Sequence, residues 1–252
     1  MNLKKNPIHG KKTTRFYDSK WVVELFASGP PAVAGTVAAF KAYEAAPTSS
    51  VWIFLAGGLL WLVITQIGKV VLAYRQERKD DEQRSHDGLH AALKVLYAVV
   101  VDALGPEDLD LRATFHRVVP PLSDPEKLEQ IIPYVGGDGD GENRKFPINA
   151  GITGAAVRQN EILIMDRQSQ GEVEYKKELV VEWNYTESSA RKMTMDRFSA
   201  IAIPVADKTG KHVLGVIYMD AKRKNCFSSQ DVQKLVVAAS GGITQYVGER
   251  YV

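Results

Sequence analysis

The sequence predicts an α+β protein in which an N-terminal transmembrane helical hairpin is followed by an antiparallel sheet flanked by helices. Three observations predict it. Residues 51–68 carry no charge and are rich in Leu, Ile and Trp; beyond residue 108 the apolar period shortens to two, in runs separated by glycine-containing turns; and beyond residue 228 a helical period returns. The 252 residues carry 32 Lys and Arg against 30 Asp and Glu, a net charge of +2, with 45% hydrophobic and 25% charged residues. That composition is globular, excludes a disordered or collagen-like chain, and gives no basic surplus that would call for a nucleic-acid partner. The single cysteine, Cys226, excludes an internal disulfide and a multi-thiolate metal site.

At about 1.5 Å per residue, the uncharged run and the apolar residues 70–73 beyond Lys69 suffice to cross a hydrocarbon core of roughly 30 Å. A second, weaker span is expected over residues 21–43, interrupted by Pro30 and Pro31. Basic residues flank the pair on both sides, Lys4, Lys5, Lys11, Lys12, Arg15 and Lys20 before it and Arg75, Arg78, Lys79 and Arg84 after it. A hairpin with spans 21–43 and 51–74 puts both flanks in the cytoplasm, as the positive-inside rule requires. The chain is thus expected to be multi-pass in the inner or plasma membrane, with residues 1–20 forming a basic cytoplasmic tail.

Residues 75–104 read as a linker helix, with Leu89, Leu96 and Ala103 seven apart and Ala92 and Val99 between them. Gly105 and Pro106 end it, and a cytoplasmic domain fills 105–252. His86 and His90 share the i, i+4 spacing of a zinc pair but lack a third ligand, and read as solvated. Strands are expected over 111–119, 128–135, 161–165, 198–205 and 213–219, the last two joined by a turn containing Gly210. The acids at 138, 140 and 142 lie in a glycine-rich turn without the terminal glutamate of a calcium loop. Ser228 is placed to cap a final helix whose buried stripe is Val232, Leu235, Val236, Ala239 and Ile243.

From about residue 86 onward the order of these elements and five short segments resemble the GAF domain family, small-molecule sensor domains related to PAS. The segments are residues 146–157 (FPINAGITGAAV), 160–166 (NEILIMD), 198–205 (FSAIAIPV), 214–220 (LGVIYMD) and 227–235 (FSSQDVQKL). The resemblance implies a central antiparallel sheet with helices on both sides, first and last helices that often join in a homodimer or larger homo-oligomer, and a pocket on the opposite face closed by variable loops. GAF domains that attach linear tetrapyrroles use a pocket cysteine, and those that reduce free methionine sulfoxide use several; Cys226, just before the last helix, matches neither. His116 and His212 read as strand or turn residues, so haem is not expected, nor is a metal. Asn143, Lys145 and Phe146 lack the spacing of the cyclic-nucleotide signature.

The variable segment, residues 167–197, carries Tyr175, Trp183, Tyr185, Arg191 and Arg197, whose rings and guanidinium groups suit a flat, anionic ligand such as a nucleotide. Asp166 and Ser199 stand at strand ends that face the pocket by family position. With no nucleophile elbow, Walker loop or paired catalytic carboxylates, the chain is expected not to be an enzyme. The expected function is that of a membrane-anchored sensory protein with a cytoplasmic ligand-binding domain and no catalytic output domain, its output passing to the membrane hairpin or to a protein partner. Two alternatives stand beside it: a membrane effector whose hairpin disrupts or gates the bilayer, and a degenerate GAF domain that only dimerises.

Overall fold

The computed structural model describes residues 22, 35–37, 40–41, 43–45, 49–137 and 141–250. Two compact units divide it, one covering Lys12–Gln83 and the other including Arg84–Val252. Helix α1 spans Ser49–Leu104, 56 residues without a proline. The charged run at 75–84 is helical, with the Gln76 amide donating to Asp80 Oδ1 at 2.9 Å one turn on. The segments read as a second span and as a linker helix are therefore one continuous helix.

The expected hairpin is not supported: among the described residues no helix is long and apolar enough to cross a membrane. Gln66 and Lys69 interrupt the apolar run, and from Arg75 the helix is highly charged. The first expected span lies for the most part outside the described residues, as do the side chains of 51–55 and 58 in the second.

In the second unit, β1 (Arg112–Val118), β2 (Lys127–Gln130), β3 (Lys145–Pro147), β4 (Leu163–Asp166), β5 (Ser199–Ala206) and β6 (Val213–Ala221) form one antiparallel sheet in the order β3-β2-β1-β6-β5-β4. Around it lie α2 (Gly151–Gln159), α3 (Glu172–Val181), α4 (Glu187–Ala190) and α5 (Gln230–Arg250). Strand alternation divides the interior in two. Phe115, Ile217 and Met219 pack with Leu89, Leu93, Leu96 and Val100 of α1 and Val236 and Ile243 of α5. Val118, Met165, Ala200, Ala202 and Val216, on the other face, pack with Ile152, Ala156 and Val157 of α2. This is the GAF-like α+β arrangement that the resemblance implied, with first and last helices on one face.

The centre of the sheet is tight. Gly215 of β6 lies opposite Arg117, and a Cβ there would come within 2.3 Å of the Phe115 ring and 2.7 Å of the His116 carbonyl.

Two local expectations change. The buried seam of α1 runs Leu89, Leu93, Leu96, Val100, while Ala103 is exposed and Ala92 and Val99 are only partly buried. Counting four and then three from Leu89 selects the larger side chains for the stripe facing the sheet. Ser228 does not cap α5; its hydroxyl donates to the Asp166 carboxylate. Arg223 closes the other end of the helical layer, donating to the Leu104 carbonyl at 2.8 Å and the Glu107 carbonyl at 3.2 Å just past α1.

Leu93 is fully buried in this layer and Val95 is 66% exposed. Leu93→Ala is expected to lower stability by about 2–5 kcal/mol in urea unfolding, whereas Val95→Ala should change it by less than about 0.5 kcal/mol.

Candidate functional site

A cavity of about 270 Å³ opens on the sheet face opposite α1 and α5. Its base comes from alternate residues of the two central strands, Arg112 and His116 on β1 and Tyr218 and Asp220 on β6. The register sets Arg112 directly across from Asp220 and Thr114 across from Tyr218. Tyr134, Arg144 and Phe146 line one side, Ile152 and Thr153 of α2 another, and Tyr175, Leu179, Tyr185, Lys192 and Arg197 complete the wall.

Asp220 is the carboxylate in that lining, and only 2% exposed. Arg112 grips it with two hydrogen bonds, Nε to Oδ1 at 2.9 Å and Nη2 to Oδ2 at 2.8 Å. Arg197 Nε stands 3.6 Å from Asp220 Oδ1, and its other nitrogens reach the Asp110 carbonyl and, at 3.5 Å, Asp110 Oδ2. The Lys222 ammonium also binds Asp110, at 2.7 Å, and that hydrogen bond together with Arg197 and Lys222 holds the Asp110 carboxyl below the usual range despite partial burial. The two deep guanidinium groups are thus occupied by carboxylates. Arg144 and Lys192, exposed at the mouth, have no ion-pair partner among the described residues.

Burial pushes the phenols of Tyr218, Tyr175 and Tyr185 up, Tyr185 to about 12, so all three are hydrogen-bond donors at neutral pH. Burial, reinforced by the charge on Arg144, pushes His116 down to about 3, and its ring is neutral.

The residues expected at the site divide. Tyr175, Tyr185 and Arg197 line the cavity. Trp183 is partly buried behind it, its carbonyl accepting from the Gly151 amide at 2.8 Å. Gly151 has φ +76°, and a Cβ there would stand 2.6 Å from the Tyr185 hydroxyl, so this turn brings the ring against α2. Arg191 is exposed and pairs with Glu187 at 3.5 Å. Asp166 and Ser199 do not line the cavity: the Ser199 hydroxyl donates to Asp166 Oδ1 at 2.8 Å and accepts from the Cys226 amide at 3.0 Å. Cys226 is buried in the helix-side core, its thiol on the Arg223 carbonyl at 3.1 Å.

His116, read from sequence as a strand or turn residue without a pocket role, is corrected: it is on a strand and it lines the cavity. Sequence reading also passed over Arg112, Tyr134, Tyr218 and Asp220. A period of two counted from Arg112 and back from Asp220 would have placed Arg112, His116, Tyr218 and Asp220 on one face. Arg167 was missed as well. It is 3% exposed, its guanidinium lies 4.2 Å from the Tyr175 ring centroid and 4.7 Å from that of Phe198, and it donates to the Ser169 carbonyl at 2.9 Å and the Met195 carbonyl at 2.6 Å. It therefore ties together both ends of the segment that closes the cavity.

Among the described residues no group of three or more His, Cys, Asp or Glu could hold a metal ion. No family model and no curated protein matches the chain. Solved structures similar to it include the type II free methionine-R-sulfoxide reductase of Thermoplasma acidophilum, 18% identical, covering 68% of this chain and 96% of that one with a TM-score of 0.45. The GAF domain of an Acinetobacter phosphoenolpyruvate-protein phosphotransferase is 15% identical over 63% of this chain and 81% of its own, with a TM-score of 0.42. That of a two-component sensor histidine kinase from Bacillus halodurans is 14% identical over 60% and 90%, with a TM-score of 0.41.

The expectation that the chain is not an enzyme is corrected here. Free methionine-R-sulfoxide reductases, GAF-like enzymes, stand among the similar structures, so the lack of familiar catalytic motifs does not exclude catalysis. At 15–18% identity the likeness concerns the fold and transfers no activity.

His116 must stay neutral in the folded chain, whereas a free imidazole protonates near pH 6.5. Between about pH 6.5 and 3 the unfolded chain therefore binds a proton that the folded chain excludes, and stability falls as pH drops through that window by up to about 1.4 kcal/mol per unit. His116→Phe is expected to remove this slope from urea midpoints measured at pH 7, 6 and 5. An unchanged slope in the variant would assign the loss to other groups.

Proposed function

We propose that the chain is a sensory protein whose GAF-like domain binds a small, anionic, planar molecule in the cavity beside β1 and β6. The observation that carries this reading is the charge of the lining: among the described residues Arg112, Arg144, Lys192 and Arg197 face one carboxylate, Asp220, together with five Tyr and Phe rings. The buried carboxylate holds the two deep cations, so the mouth keeps its positive charge for an incoming anion, and the rings supply stacking faces. The volume, near the lower end of the range of about 300–1,000 Å³ for small-molecule sites, suits a metabolite rather than a peptide.

A thermal-shift screen of the full chain against nucleotides, aromatic carboxylates and their uncharged analogues tests it. An anion at a hundredfold over its Kd should add about 2.7 kcal/mol, a shift of several degrees that shrinks as salt is raised. Arg144→Ala combined with Lys192→Ala should weaken that anion at least tenfold while leaving the unliganded melting temperature unchanged, because both side chains are exposed. Shifts given only by uncharged compounds would refute the anionic reading.

The same proposal places the domain at a membrane through the N-terminal segment, working as a homodimer or larger homo-oligomer and relaying to a protein partner. Its support is the uncharged run at 51–68, the basic flanks, and the exposure of Leu60 at 61%, Trp61 at 70%, Ile67 at 60% and Leu72 at 65% on α1. The full chain is expected to sediment with membranes and to resist carbonate extraction, and deletion of residues 51–74 to release it. Recovery of the intact chain in the supernatant would remove the anchor.

A further inference from the structure

His116 carries a demand that an anionic ligand alone does not meet. The residue is 4% exposed at the middle of the sheet, and its ring is stacked against Tyr218, with centroids 5.6 Å apart and planes at 16°, and tilted against Phe146 at 5.1 Å and 35°. Its two nitrogens, separated by Cε1, point in widely different directions, so a single flat ligand can meet one of them. Neither Nδ1 nor Nε2 has a hydrogen-bond partner among the described residues. Buried polar atoms are nearly always partnered, and a nine-tenths buried imidazole that lines a ligand cavity is an exception that asks for an occupant. Because the ring is neutral, its edge offers one donor and one acceptor and adds no charge to attract an anion.

We propose that one ring nitrogen of His116 reads an uncharged hydrogen-bonding group on the ring of the cavity's ligand, which makes the ligand class a small heteroaromatic anion. The charged group of such a molecule meets Arg144 and Lys192 at the mouth. Its ring lies among the aromatic walls, and an amide-like N–H or C=O on that ring pairs with one nitrogen of His116. This rests on the anionic reading above and adds a selectivity that the cations cannot supply, since they attract any anion alike.

Orotate and benzoate test it on the full chain by calorimetry: both are ring carboxylates, and only orotate carries an amide edge. Orotate is expected to bind at least tenfold more tightly than benzoate. His116→Phe, which keeps a stacked ring, should bind benzoate as the parent does and lose the tenfold preference, and His116→Asn, which keeps a donor and an acceptor, should recover part of it. Should the variants fail to fold, the ring nitrogen resonances of His116 in the parent provide the second reading, and saturating orotate should shift them. Equal binding of the two anions by the parent, an undiminished preference in His116→Phe, or unmoved nitrogen resonances at saturation would overturn the role of His116 while leaving the anionic cavity standing. Failure of both anions to bind at millimolar concentration would overturn the anionic cavity and the role of His116 with it.

Discussion

The antiparallel pairing of β1 with β6 constrains everything else in the domain. These strands lie at the centre of the sheet, and their registered alternation sends Phe115, Ile217 and Met219 toward the α1 and α5 layer and Arg112, His116, Tyr218 and Asp220 toward the cavity. A slip of one residue would exchange the two sets, placing an ion pair and an imidazole in a hydrocarbon layer. Gly215 permits the close approach that fixes this register, since any side chain there would meet Phe115 and the His116 carbonyl. The stability of the helical face and the chemistry of the cavity are thus two outcomes of one alignment.

Asp220 organises the electrostatics of the cavity in the same way. A carboxylate this deeply buried is tolerable only when paired, and the two-point grip of Arg112 with Arg197 nearby supplies the partners. The pairing neutralises the deepest positive charges and leaves Arg144 and Lys192, exposed at the mouth, without an ion-pair partner among the described residues. Among the described residues charge is therefore graded along the depth of the cavity, neutralised at the base and positive at the mouth, with the neutral His116 beside Tyr218 and the Arg112–Asp220 pair on the floor.

Much of the fold was legible because it is written in period. The alternation of β5 and β6 and the turn at Gly210 are strong local patterns, and α5 shows its helical period directly, although its buried stripe runs Val236, Ser240, Ile243, Val247 and the expected Val232, Leu235 and Ala239 are only partly buried. β3, three residues at the sheet edge, has no pattern of its own and exists through its pairing with β2. In the site, Tyr175, Tyr185 and Arg197 were visible because aromatic and basic residues cluster in one variable segment. Arg112, His116 and Asp220 were hidden because polar residues at alternate strand positions look like a solvated face until the opposite layer is known. Asp166 and Ser199 misled for a related reason: their strand-end position suits a ligand, yet their hydrogen-bonding capacity is spent on each other and on Ser228.

The contacts around Arg197 connect the cavity with the helical layer. Arg197 lines the cavity and binds Asp110 through both its carbonyl and its carboxylate, and Asp110 lies in the short segment between α1 and β1. Arg223 holds the start of that segment by donating to the carbonyls of Leu104 and Glu107, and Lys222 binds the Asp110 carboxylate. Arg197 has three carboxylates around it, Asp110 at 3.5 Å and Asp196 and Asp220 each at 3.6 Å, so its charge is taken up within the chain. Asp196 is the most exposed of the three, Asp110 has Lys222 as a second partner, and Asp220 is buried against Arg112. Arg197 therefore joins the wall of the cavity to the junction that holds the end of α1.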